Sequence, residues 1–259
     1  MWSYPNFDPI ALTINIHWYA VSYLVGITLV WWTVRIRNRR YSYGWTNEAI
    51  SDLVTYAVFG VIFGGRIGYV LFYDFDQFIS DPISIVKIWQ GGMSFHGGLL
   101  GVVLAIFTYV KRNVDSFMVT MDLIAPSIPL ALGCGRIGNF INGELPGRIT
   151  EVPWGFIYPG EIVVRHPSSL YQAFMEGVVL FSIMWFYAAG NRPRMAVSGM
   201  FLLSYGLIRI FTEFFREPDP HIGFLVYEWL TVGQLLSLPM ILFGLVVLAS
   251  SYRTVGNYK

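Results

Sequence analysis

The chain has 259 residues, of which 55% are hydrophobic and 13% are charged, and its formal net charge is +1. Because soluble domains carry about 25% charged residues, this composition excludes an ordinary soluble protein and indicates an integral membrane protein. The balanced charge gives no indication of a nucleic-acid partner, and we expect none.

Hydropathy predicts an all-α integral membrane protein with seven transmembrane helices, because seven stretches approach or exceed the ~18 apolar residues that cross a bilayer. In chain order, the predicted spans are 17–34, 52–73, 95–110, 117–138, 168–189, 196–215 and 229–251. No Lys or Arg precedes Arg35, so the N-terminus lacks the basic region of a signal peptide.

The basic residues predict the orientation of these spans. Ten of the 17 Lys and Arg residues lie after the first, third, fifth and seventh spans. By the positive-inside rule, connections of this kind face the cytoplasm. We therefore expect the N-terminus to lie outside and the C-terminus to lie in the cytoplasm.

Two of the outer connections differ in composition. Residues 74–92 mix acids with Phe, Ile and Trp, which is typical of an amphipathic arm on the outer membrane surface. Residues 143–167 are rich in Gly and Pro, and they predict a small extracytoplasmic cap that is irregular or contains β-strands. No linker divides the chain, so we expect residues 1–259 to form a single membrane domain.

Three arginines, Arg66, Arg136 and Arg209, lie inside predicted spans. A rise of about 1.5 Å per residue places all three in the outer half of the bilayer. A charged residue there costs about 3 kcal/mol and is a functional candidate, although a single long side chain can also reach the interface. Glu213 follows Arg209 by four residues and is expected to pair with it. The remaining guanidinium charge predicts a site for an anionic phospholipid that opens to the outer leaflet.

The stretch GCGRIG, residues 133–138, matches the G-x-G-x-x-G pattern of dinucleotide sites. It follows a helical span with two prolines rather than a strand, so a dinucleotide site is excluded. We expect its glycines to allow close helix packing and to let the chain bend out of the helix. Cys134 is the only cysteine, which excludes an intrachain disulfide, and we expect it to point away from Arg136. Because the four histidines lack metal-ligand spacing, we expect neither a metal nor an organic cofactor.

Polar side chains near the outer ends of the spans extend the candidate site. His96 lies between small residues and is a candidate general base or hydrogen-bond donor to phosphate; the alternative is an interfacial histidine whose ring is already bonded. Asn139 and Asn142 offer amides beside Arg136, and Glu144 is an acid that could pair with an arginine. Of the tyrosines expected at the same level, Tyr19, Tyr69 and Tyr205 are candidates for the site.

Seven stretches carry a resemblance to a known family. They are HWYAVSYLVG, GGRIGYVLFY, GGMSFHGGLLG, GRIGNFINGELPGR, RHPSSLYQ, GLIRIFTEFFREPD and GQLLSLPM. In this order they resemble the prolipoprotein diacylglyceryl transferase family over nearly the whole chain. The resemblance implies transfer of a diacylglyceryl group from phosphatidylglycerol to the lipobox cysteine of a preprolipoprotein signal peptide. The implied products are a thioether and glycerol 1-phosphate, and the implied location is the bacterial inner membrane, with the active site facing the outer leaflet.

The resemblance also implies roles for individual residues. Two family arginines fall on Arg136 and Arg209, and the histidine of SFHGG falls on His96, which gives the implied catalytic set. Together with the residues selected above, the expected substrate-binding set is Tyr19, Arg66, Tyr69, Asn139, Asn142, Glu144, Gly147, Tyr205 and Glu213. The segment between YPGE and RHPSS is shorter than in some members, so a peptide contact through the cap is not carried over.

Two other classes of protein remain as alternatives. A transporter of outer-leaflet anionic lipids or anions would need polar residues that continue to the cytoplasmic side, and the span interiors lack them. A seven-helix receptor would leave the intramembrane arginines unexplained. The transferase accounts for both observations.

Overall fold

The computed structural model describes residues 2–5, 7–8, 10–12, 16–113, 116–218 and 230–256, and most of them are helical. The main helices are α1 (Trp18–Tyr41), α2 (Asn47–Tyr73), α3 (Phe75–Ser80), α4 (Phe95–Asn113), α5 (Phe117–Ile141), α6 (Ser168–Tyr187), α7 (Ala196–Glu213) and α8 (Val232–Gly256). The short strands are β1 (Trp2–Ser3), β2 (Ile10–Leu12), β3 (Ile16–His17), β4 (Phe156–Ile157) and β5 (Val164–Arg165). Position 229, where the last predicted span begins, lies outside the described residues.

A helix occupies each of the seven predicted spans. Five of these helices are long and apolar enough to cross a membrane by length and composition, namely α1, α2, α5, α6 and α8. These five helices indicate a helical membrane protein, while the number of seven spans and their orientation stay predictions. The ends differ from the predicted ones. For example, α1 continues through the basic stretch to Tyr41, because Arg39 and Arg40 in its last turn interact favourably with the helix dipole.

By its internal contacts the chain forms two compact units, one of residues 35–120 and one of residues 1–34 with 121–259. In the first unit the predicted arm consists of α3 and two 3₁₀ turns, Pro82–Val86 and Ile88–Gln90. Its exposed apolar side chains are Phe75, Ile79, Ile83, Val86, Ile88 and Trp89. Such a surface suits contact with lipid, and its place on the outer membrane surface stays a prediction.

In the same unit, α2 packs against α4 through glycines. Gly60, Gly64 and Gly68 of α2 face Gly97 and Gly101 of α4. A Cβ atom added to Gly101 would lie 2.1 Å from the carbonyl oxygen of Gly60, so no larger residue fits without moving a helix. Close backbone contact through small residues is a usual way of joining helices in a membrane.

In the other unit, α5 and α6 also meet at glycines. A Cβ atom added to Gly133 would lie 2.9 Å from the Cα of Gly177, which confirms the close packing expected of this stretch. The expected bend at the glycines is wrong, because the helix continues to Ile141. It is interrupted earlier, by a 3₁₀ turn at Ala125–Ser127 with Pro126 near its start. Cys134 packs toward Gly26 of α1, as a Cβ atom there would lie 3.3 Å from its own.

The predicted cap, residues 143–167, contains strands as expected. Strand β4 pairs antiparallel with β5 and parallel with β1, which gives a three-stranded sheet in the order β1-β4-β5. Beneath the sheet, Tyr4 and Tyr158 stack with ring centroids 5.0 Å apart. The hydroxyl of Tyr4 donates to the carbonyl oxygen of Ile141, 3.0 Å away, and burial raises the pKa of Tyr158 to about 12. These contacts fasten the cap to the end of α5.

Candidate active site

Helices α5, α6 and α7 bring charged side chains into one chain of ion pairs. Nε of Arg136 lies 3.1 Å from Oε2 of Glu176, and Nη1 of Arg209 lies 3.8 Å from Oε1 of the same glutamate. Nη2 of Arg209 lies 2.8 Å from Oε2 of Glu213, whose Oε1 lies 3.2 Å from Nη1 of Arg216. The two arginines predicted to be catalytic therefore meet at one carboxylate, and the predicted pairing of Arg209 with Glu213 is confirmed.

Local geometry explains these positions. Arg136 follows Gly133 by one turn, so it lies close to where α5 touches α6. Glu176 lies in the π-helical segment Ala173–Val179 of α6, and such widened turns occur frequently at functional sites. Arg209 and Glu213 are four residues apart on α7 and share one face of that helix.

The ion-pair chain is buried and carries excess positive charge. The side chains of Glu176 and Glu213 are 0% and 1% exposed, while those of Arg136 and Arg209 are 20% and 14% exposed. Its three guanidinium groups and two carboxylates leave one net positive charge. Nη1 of Arg209 is buried without a hydrogen-bond partner in the described part of the chain, since 3.8 Å exceeds hydrogen-bond length. A bound anion would satisfy both the charge and this donor.

Two of the predicted tyrosines lie at this cluster. Tyr205 is buried on α7, and Arg136 is one of its charged neighbours. Tyr19, at the start of α1, has Arg136 and Glu144 as charged neighbours, and its hydroxyl lies 3.1 Å from that of Tyr23. The phenols add neutral hydrogen-bonding groups beside the guanidinium of Arg136.

Asn139, Asn142 and Glu144 form a second polar group at the end of α5. Nδ2 of Asn139 donates to Oε2 of Glu144 at 2.8 Å, and Nδ2 of Asn142 donates to Oε1 at 3.2 Å. The backbone N–H of Glu144 donates to the carbonyl of Asn139 at 2.9 Å. Both amides thus hold the exposed carboxylate of Glu144, which we had expected to pair with an arginine.

Gly147 joins three segments of the chain. Its N–H donates to the carbonyl oxygen of His166 at 2.9 Å, and it forms a β-bridge with Arg216. A Cβ atom at this position would lie 2.5 Å from the carbonyl oxygens of both His166 and Phe215. The geometry gives Gly147 a packing role in the cap, and its expected role in substrate binding stays a prediction from the sequence.

Arg66 was also expected to bind substrate. Its guanidinium is hydrogen-bonded to backbone carbonyl groups within the unit of residues 35–120. Its guanidinium donates to the carbonyl oxygens of Ser84, Ile85 and Gly91, and its side chain is buried. The ring of Tyr69 lies under the guanidinium, 5.8 Å from its carbon. Both side chains hold the segment that precedes α4, and their expected role in substrate binding stays a prediction from the sequence.

His96 lies exposed in the first turn of α4, in the unit of residues 35–120. Arg136 and Arg209 belong to the other unit. The role of His96 as a base therefore stays a prediction from the sequence.

Glu176 is the one acid in the predicted span 168–189, and its role was not predicted from the sequence. The spacing of four residues revealed the pair Arg209–Glu213, whereas Arg136 and Glu176 are 40 residues apart. Gln172, one turn before Glu176, was not selected at all, and its side chain is fully buried. Both residues belong to one polar face in an otherwise apolar helix, and that face was the available signal.

Comparison with known proteins identifies the relatives of this chain. A family model described as prolipoprotein diacylglyceryl transferase matches residues 9–250. Proteins named phosphatidylglycerol–prolipoprotein diacylglyceryl transferase are similar to it in Ectopseudomonas mendocina, with 52% identity over 98% of this chain and 97% of the relative, and in Oleidesulfovibrio alaskensis, with 54% identity over 98% and 96%. A relative of the same name from Azotobacter vinelandii is 50% identical over 98% and 97%.

Proposed function

The chain belongs to the prolipoprotein diacylglyceryl transferase family, and on this premise we propose how its residues carry out the transfer. It is a transferase that moves the diacylglyceryl group of phosphatidylglycerol to a cysteine thiol of prolipoproteins, the first step of bacterial lipoprotein maturation. The thiol acceptor is the lipobox cysteine of the signal peptide. The products are the thioether and glycerol 1-phosphate.

The reaction is a substitution at the glycerol carbon that carries the phosphate. The cysteine sulfur forms a bond to this carbon, and the carbon–oxygen bond to phosphate breaks with its electron pair on oxygen. The phosphodiester becomes a monoester, so negative charge grows on the leaving group while the thiol loses a proton. Preorganised cationic donors at the leaving group therefore accelerate this step.

Arg136 and Arg209 are the donors that we assign to the phosphate. The observation that carries the proposal is the buried ion-pair chain, with one excess positive charge and the unbonded Nη1 of Arg209. Glu176 and Glu213 hold both guanidinium groups in place before the substrate arrives. The positive field also favours the thiolate over the thiol, whose ordinary pKa is about 8.5. His96 is the candidate that takes the thiol proton.

We place this site toward the outer leaflet of the inner membrane. Seven spanning helices with basic connections on the cytoplasmic side put the outer ends of α5 and α7 at the level of the lipid headgroups. Asn139, Asn142 and Glu144 extend the site at the end of α5, and we assign them to the peptide side. The family relationship favours this enzyme over the transporter considered as the alternative.

An assay with purified protein tests the proposal. The protein is placed in vesicles of phosphatidylglycerol with a lipobox peptide, and release of glycerol phosphate is followed. Release is expected to need the peptide cysteine and to fail in Arg136→Ala and Arg209→Ala. The matched control is Arg192→Ala, an exposed arginine that donates to the carbonyl of Tyr187 and should retain activity. Release by a cysteine-to-serine peptide, or by both site variants at the wild-type rate, would refute the assignment.

A further inference from the structure

Gln172 is a buried amide without hydrogen bonds. Its side chain is 0% exposed, and neither Nε2 nor Oε1 has a partner among residues 16–113, 116–218 and 230–256. Buried amides normally bond at both ends, because burying an unbonded polar group is strongly unfavourable. The side chain is therefore suited to a partner that is not part of the protein.

The position of Gln172 points to the substrate. Ser169, Gln172 and Glu176 are spaced by three and four residues on α6, and all three are fully buried, so they share one inward face. Glu176 lies between Arg136 and Arg209. Gln172 is one turn nearer the cap than Glu176, on the side from which the headgroup of an outer-leaflet lipid would project.

The neighbouring ion pair also carries buried polar atoms without hydrogen bonds. Among the described residues, Nη1 of Arg209 and Oε1 of Glu176 have no hydrogen-bond partner and lie 3.8 Å apart, and Oγ of Ser169 and Oε2 of Glu213 have none either. With the two atoms of the Gln172 amide, one turn from Glu176, they give a set of donors and acceptors that lack partners. The set matches a polar ligand that carries an anionic group beside groups that both donate and accept hydrogen bonds.

We propose that Gln172 binds a hydroxyl group of the glycerol headgroup of phosphatidylglycerol and thereby selects this lipid. The inference rests on the proposed function, which places the phosphate at Arg136 and Arg209. An amide donates through Nε2 and accepts through Oε1, which matches a hydroxyl group in both directions. Sites that bond a substrate hydroxyl strongly reject analogues that lack it, because their own polar groups are then left unbonded.

The test compares two lipids that differ only in the headgroup hydroxyls. Phosphatidylpropanol keeps the acyl chains and the anionic phosphodiester of phosphatidylglycerol but has no hydroxyl on the headgroup. We expect wild-type protein to form thioether from phosphatidylglycerol with a kcat/KM at least about tenfold higher. Gln172→Met removes the amide at similar length and should reduce this ratio to about twofold or less.

The ratio is measured within one preparation, so partial loss of folded protein cancels from it. The matched control is Gln234→Met, because Gln234 is also buried but its Oε1 already accepts from the N–H of Thr231. That substitution should change turnover of both lipids by the same factor. If Gln172→Met yields no folded protein, Gln172→Leu, which also removes every hydrogen-bonding atom from the side chain, replaces it with the same expected loss of selectivity.

Three outcomes decide between the possibilities. If wild-type protein uses both lipids equally, or if the Gln172 variants lower both rates equally, Gln172 has only a structural role and the inference is overturned. If wild-type protein uses neither lipid while well folded, the proposed function itself fails. If the Gln172 variants lose kcat/KM for phosphatidylglycerol but not for phosphatidylpropanol, the result supports both the inference on Gln172 and the proposed function.

Discussion

The fully buried carboxylate of Glu176 lies 3.1 Å from Nε of Arg136 and joins α6 to α5 at the centre of the candidate site. A buried carboxylate between two guanidinium groups keeps both of them oriented without neutralising them fully. Substrate phosphate can then bind to arginines that already have the required geometry.

Glu176→Gln should destabilise the lipid-free protein, because it leaves the guanidinium groups of Arg136 and Arg209 without their common counterion. Breaking a buried pair in this way costs about 3 kcal/mol. Phosphatidylglycerol supplies a replacement anion, so it should raise the melting temperature of the variant more than that of wild type. Thermal unfolding in detergent with and without the lipid checks this. An equal rise in both proteins would argue against phosphate binding at this pair.

Arg66→Ala should lower stability without weakening lipid binding. The substitution removes the hydrogen bonds to the carbonyl groups of Ser84, Ile85 and Gly91, at a cost of about 2–4 kcal/mol because the donor is charged. The KM for phosphatidylglycerol of the remaining folded protein should stay within about twofold of wild type, since no substrate contact is lost. A large increase in KM at unchanged stability would instead support the expected substrate-binding role of Arg66.

Gly147→Ala should destabilise the cap, because the added Cβ would lie 2.5 Å from two carbonyl oxygens. Overpacking of this kind costs about 3 kcal/mol. Gly135→Ala is the matched control, since no atom of the described residues lies within 4 Å of a Cβ there and alanine is the better helix former by about 1 kcal/mol. Melting temperatures of the two variants decide the matter. If Gly147→Ala keeps wild-type stability and selectively loses peptide binding, the result would support the expected substrate-binding role of Gly147.

The sequence predicted the framework and part of the site, for physical reasons that particular residues show. Hydropathy located seven helical stretches, and the cost of intramembrane charge singled out Arg136 and Arg209. The partner of Arg136 could not be predicted, because Glu176 is 40 residues away and only helix packing brings the two together. The carbonyl partners of Arg66 lie 18 to 25 residues further along, in an irregular segment without a pattern.

The spacing of the glycines in α2 and α4 could have predicted that these two helices pack closely, but we did not make this prediction from the sequence. Gly60, Gly64 and Gly68 recur every four residues on α2, as do Gly97 and Gly101 on α4. This spacing places small residues along one face and predicts close helix contact in a membrane. The structure shows that contact.

Stability should fall in mild acid because of His166, which lies where the cap meets α6. Burial lowers the pKa of His166 from its ordinary value, so the unfolded chain binds a proton at higher pH than the folded chain. The contribution of the neutral His166 ring to the free energy of unfolding is therefore full above pH ~6.5. It is lost as the pH falls from there through the lower pKa of the folded state. Melting temperatures between pH 5 and 8 should decline less in His166→Gln. Parallel profiles for the two proteins would assign the acid sensitivity to other groups.

Arg209→Lys should separate charge from geometry at the leaving phosphate. The guanidinium of Arg209 has two ends: Nη2 forms an ion pair with Glu213 at 2.8 Å, while Nη1 has no hydrogen-bond partner among the described residues and can bind a ligand. A lysine ammonium is a single point charge, and we expect Glu213 to hold it, so that the phosphate loses its donor. Turnover should fall about 100-fold, as when one donor to a developing anion is removed, while stability changes little because the ion pair is kept. The measurement is kcat with phosphatidylglycerol, together with the melting temperature. Full activity in the lysine variant would show that positive charge alone suffices, and the fork of Arg209 would lose its assigned role.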